Sequence, residues 1–107
     1  MPIYNKLVRD KIPEIIRSSG KDCSCLALEE ETYIAELKKK LREEVEEYTR
    51  AANDEEGLEE LADILEVVHA LAQIHKVLPG DVEKIRVKKA EERGGFKDSI
   101  FLIEVSE

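Results

Sequence analysis

Residues 30 to 77 contain two helix-length amphipathic stretches separated only by a tight break at Ala52-Asn53-Asp54. In the first, Ile34, Leu37, Leu41, Val45 and Tyr48 step by three and four, the spacing of one helix face. The second is apolar over most of its circumference. One side carries Ile64, Val67, Leu71 and Ile74, another Leu58, Leu61, Leu65 and Val68, and only Glu59, Glu66, His69 and Gln73 form a polar strip. Asn53 with Glu56 fits a capping box. A break that short makes the two helices antiparallel neighbours. The spacing therefore predicts helices over residues 30–52 and 54–77, packed on one another.

The remaining elements are arranged around this pair. Asp10 is placed to cap a short helix, IPEIIRSS, which Gly20 ends. Pro79 and Gly80 stop the second long helix, and Asp81 is placed to cap another reaching Arg93. CSCLALE and SIFLIEV read as two short β-strands that pair with each other. The expected fold is mainly α: a helical bundle on two long antiparallel helices, with shorter helices and two short strands. At 107 residues this is one domain, 1–107.

Two acids of the second helix, Glu60 and Asp63 in LEELADIL, fall within its apolar arc. Two acids of LREEVEEY do the same on the first helix. Glu44 lies between Leu37, Tyr48 and Ala51, and Glu47 sits at the edge beside Lys40, while Glu43 and Glu46 point outward. Four carboxylates then converge between the helices. Burying one unpaired carboxylate costs several kcal/mol, against about 5–15 kcal/mol of net stability for a domain. Basic partners or proton uptake would relieve the charge. Lys40 serves at most one acid, and no basic residue of the second helix faces the others. A hard divalent cation fits best, with Mg²⁺ the natural choice and Mn²⁺ able to replace it. The set contains no His or Cys, which argues against zinc.

The net charge of -8 argues against a nucleic-acid-binding module. No apolar run reaches the length of a membrane span, and MPIYNKLVRDK lacks a secretory h-region. The expectation is a cytoplasmic protein with no membrane or nucleic-acid partner. Cys23 and Cys25 read as two free thiols, His69 and His75 as solvated, and Tyr4, Tyr33, Tyr48 and Phe96 as core residues.

The paired motifs Glu44-Val-Glu-Glu47 and Glu60-Leu-Ala-Asp63 resemble the all-α nucleoside triphosphate pyrophosphohydrolase superfamily, which includes MazG-like proteins and phosphoribosyl-ATP pyrophosphohydrolase. The doublet Glu43-Glu44, the N-terminal YNKLVRDKIPEII and the late KKAEERGGF look like a small MazG-related branch. The resemblance implies Mg²⁺-dependent hydrolysis of a nucleoside triphosphate at the α–β bond, giving monophosphate and pyrophosphate. It also implies a homodimer or higher homo-oligomer. Glu44, Glu47, Glu60 and Asp63 would hold the metal, and Glu44 or Glu47 would take the proton of the attacking water. Lys6, Arg9, Lys11 and Arg93 are the candidate phosphate ligands, within two basic clusters that otherwise form surface salt bridges. Two other readings remain open: phosphoribosyl-ATP hydrolysis, and a non-catalytic acidic dimer acting as divalent-ion sensor or partner-binding module.

Overall fold

A computed structural model describes residues 2–107. The described residues form four helices: α1 (Ile12–Ser18), α2 (Glu30–Arg50), α3 (Asp54–Ile74) and α4 (Pro79–Arg93). The long pair, α2 and α3, packs side by side, and α4 packs on α3.

The turn between the long helices follows from its capping chemistry. Asn53 is extended, and its side-chain oxygen accepts from the Glu56 amide at 2.9 Å. Glu56 reaches back to the Ala52 amide at 3.0 Å rather than to Asn53. The first bond satisfies a donor that the helix start leaves unpaired, and the second ties down the residue before the cap. Both long helices end before the expected limits, at Arg50 and Ile74.

Two expected caps differ. Lys11, not Asp10, occupies the cap position of α1, and no side chain caps that helix. Asp81 lies inside α4, where its carboxylate accepts from the Leu78 amide at 2.9 Å. Proline favours the first turn of a helix, so α4 begins at Pro79.

The expected strands do not form: there is no strand among the described residues. CSCLALE and SIFLIEV leave Leu26 and Ile100 exposed and do not pair. A lone two-stranded ribbon is marginal in water, and neither segment finds a third strand. The cysteines are free, with their sulfurs 3.9 Å apart, and Cys23 approaches the Pro13 carbonyl beneath α1. Tyr4, Tyr48 and Phe96, expected in the core, are exposed, and Tyr33 is half-buried.

The core is small. Leu37 of α2 and Val67 and Ala72 of α3 are its buried apolar side chains. Gly57 is buried as well and lies under Tyr48, where a Cβ would meet the ring at 3.7 Å. A radius of gyration of 18.2 Å is well above the roughly 13 Å of a compact chain this long.

Candidate metal centre

The α2–α3 seam carries charge in the middle of its packing. Glu44 is the buried charged residue of the structure, 6% exposed. It lies two turns after Leu37 on the same helical face, so whatever buries Leu37 also buries Glu44. Glu47 follows one turn later and lies at the exposed rim. From α3, Glu60 reaches the same place and is half-buried. One carboxylate oxygen from each of Glu44, Glu47 and Glu60 lies within 4.8 Å of the others.

The protein's own cations leave this cluster partly unsatisfied. Lys40, one turn before Glu44, approaches its Oε1 at 3.4 Å. The Oε2 atoms of Glu44 and Glu60 are buried with no hydrogen-bond partner. An orphaned buried acceptor costs about 1–3 kcal/mol, and more when charged. Burial, the adjoining Glu47 carboxylate, and then Glu44 and Asp63 push the Glu60 carboxyl up to about 7. Without a cation, Glu60 keeps its proton up to about neutral pH. The three glutamates could hold a metal ion, and their all-oxygen donor set suits a hard cation over a soft one.

Asp63 is in a different situation. It lies one turn beyond Glu60 but is tied to Arg9, whose Nη2 donates to Oδ1 at 2.5 Å. Neither long helix places a cation opposite Asp63; the partner comes from the N-terminal segment outside them. Arg9 is 54 positions away, and its basic cluster YNKLVRDK was the only signal. The other candidate phosphate ligands, Lys6, Lys11 and Arg93, make no ion pair or hydrogen bond with the four acids among the described residues. Lys6 stands over the Tyr4 ring at 5.5 Å, and Arg93 closes the last turn of α4. Of the two acids expected to point outward, Glu46 is exposed and paired with Arg50, whereas Glu43 is half-buried. His69 and His75 are exposed. No helix among the described residues is long and apolar enough to cross a membrane.

An uncharacterized protein of Mycolicibacterium smegmatis is 44% identical to this chain over 54 residues. That stretch is 50% of the chain and 55% of the relative, so the match spans about half the length of each protein. The chain matches no protein-family profile and no solved structure.

Proposed function

We propose that the chain is a Mg²⁺-dependent nucleoside triphosphate pyrophosphohydrolase of the MazG-like kind, working as a homodimer or higher homo-oligomer. The observation that carries this reading is the pair of orphaned carboxylate oxygens, on Glu44 and Glu60, within a cluster of three glutamates. Burying such a cluster in its charged form is costly, and a divalent cation offsets that charge where Lys40 and a single proton do so only in part. The motif pair ExxE and ExxD supports the choice of substrate.

In this reading Glu44 and Glu60 anchor the ion from the buried side, and Glu47 completes the set from the rim. When bound, the ion offsets phosphate charge and acidifies water, the chemistry an anhydride hydrolysis needs. Asp63 is the fourth ligand once Arg9 lets it go. Glu47 is the base, because its exposed carboxylate meets solvent. Water oxygen attacks phosphorus, the α–β anhydride P–O bond breaks, and the water's proton passes to Glu47. Arg9 meets Asp63, with Lys6 and Lys11 near it in sequence, and the released Arg9 fork suits phosphate geometry. Arg93 is the remaining candidate.

The test is a panel of nucleoside triphosphates, phosphoribosyl-ATP included, with Mg²⁺ and product analysis. Pyrophosphate and monophosphate are expected, with activity lost in Glu47→Gln and Asp63→Asn while helicity persists. Orthophosphate as the sole product, or activity indifferent to both changes, rejects the reading. Tight cation binding with no turnover of any nucleotide points instead to the divalent-ion sensor.

A further inference from the structure

Residues 100–105 run without helix or strand, and Ile100, Phe101, Leu102, Ile103 and Val105 are 73–87% exposed. Five bulky apolar side chains in six positions have no cover from their own chain. Water penalises each of them, at about 25 cal/mol per Å² of apolar surface.

A second uncovered surface matches the first in character. Leu58, Leu61 and Leu65 of α3 step by three and four and are all exposed. Leu58 and Leu61 line a groove with Tyr48 and Gly57 where α2 turns into α3. The stripe carries no charge of its own, and the segment 100–105 has only Glu104.

Area identifies the occupant. The chain exposes 9998 Å², whereas a compact monomer of 12.2 kDa exposes about 6,100 Å². The excess is roughly 3,900 Å². An obligate dimer buries about 1,000–2,500 Å² on each partner. One two-fold contact with an identical chain accounts for much of the excess, and two-fold symmetry covers both uncovered surfaces on both copies at once.

We propose that residues 99–105 form an arm exchanged between two copies of this chain, each arm lying on the other copy's stripe of Leu58, Leu61 and Leu65. The arm explains why SIFLIEV is almost continuously apolar yet finds no cover within its own fold. It rests on the homo-oligomer of the proposed function but not on the nucleotide chemistry, so arm exchange and turnover can fail separately.

The test is the mass of the 107-residue chain in solution, by sedimentation over a wide concentration range, beside Phe101→Asp/Ile103→Asp. Both side chains already face solvent within the chain, so the double variant leaves the helices and their circular dichroism unchanged. The parent is expected at a multiple of 12.2 kDa, with association weakened at least a hundredfold in the variant. Contact is read by mixing Ile103→Cys chains with Leu61→Cys chains, both in a Cys23→Ser/Cys25→Ser background. A disulfide joining one of each is expected. A parent that stays monomeric, a variant that assembles as the parent does, or no mixed disulfide overturns the proposal.

Discussion

Arg9 and Asp63, 54 positions apart, are joined by a 2.5 Å ion pair that ties the N-terminal segment to the acidic seam. The side chains remain 55% and 40% exposed. Exposed pairs of this kind contribute about 0–1 kcal/mol, so the contact is easily exchanged. Asp63, proposed above as a fourth ligand, is thus held by a cation of the protein's own.

Arg9→Ala is expected to change the melting temperature little and to tighten divalent-ion binding about two- to fivefold. That is the exchange of a contact worth up to about 1 kcal/mol. Titration calorimetry with Mn²⁺ and Mg²⁺ measures it. Affinity equal to the parent's would mean that Arg9 does not compete for Asp63.

Glu44→Gln removes the deepest charge of the seam. In chelator its stability is expected within about 1 kcal/mol of the parent, since a lost buried charge offsets a weakened Lys40 contact. Saturating Mg²⁺ should stabilise the parent by about 2.7 kcal/mol at a hundred times Kd and the variant hardly at all. Thermal melts with and without Mg²⁺ decide it, and an undiminished shift in the variant counts against Glu44 as a ligand.

The raised Glu60 carboxyl makes metal-free stability depend on pH. The folded chain holds a proton that the unfolded chain releases near 4.5, so the native state binds more protons between there and about 7. Stability from this group is therefore full below 4.5 and lost as pH rises through about 7. Divalent-ion affinity runs the other way and increases over the same window. Denaturation in chelator from pH 5 to 8, compared for the parent and Glu60→Gln, should show the downward trend in the parent alone.

Gly57→Ala should stabilise the chain by about 0.5–1 kcal/mol, because glycine inside a helix loses more backbone freedom on folding. The added Cβ meets the Tyr48 ring at 3.7 Å, an ordinary contact. Chemical denaturation reads the change, and a destabilised variant would show that this seam tolerates no added carbon.

Much of the architecture is local and was legible in residue spacing. Steps of three and four between Ile34 and Tyr48 specify a helix face, and Asn53 with Glu56 specifies where α3 starts. The same counting put Glu44 and Glu60 on inward sides, since side-chain direction on a helix follows from position number. It could not rank their depth. Glu47 lies at the rim and Glu43 is half-buried, because depth depends on how far the facing helix extends over each residue.

The sequence by itself determined the helices among the described residues, their order and the inward sides of Glu44 and Glu60, all set by contacts a few residues long. The tertiary structure alone decided that Arg9 meets Asp63, that Glu44 and Glu60 each keep an unpaired oxygen, and that SIFLIEV has no strand beside it. Those outcomes depend on groups distant in the chain arriving at one point, and neither helical periodicity nor strand propensity encodes which distant group arrives.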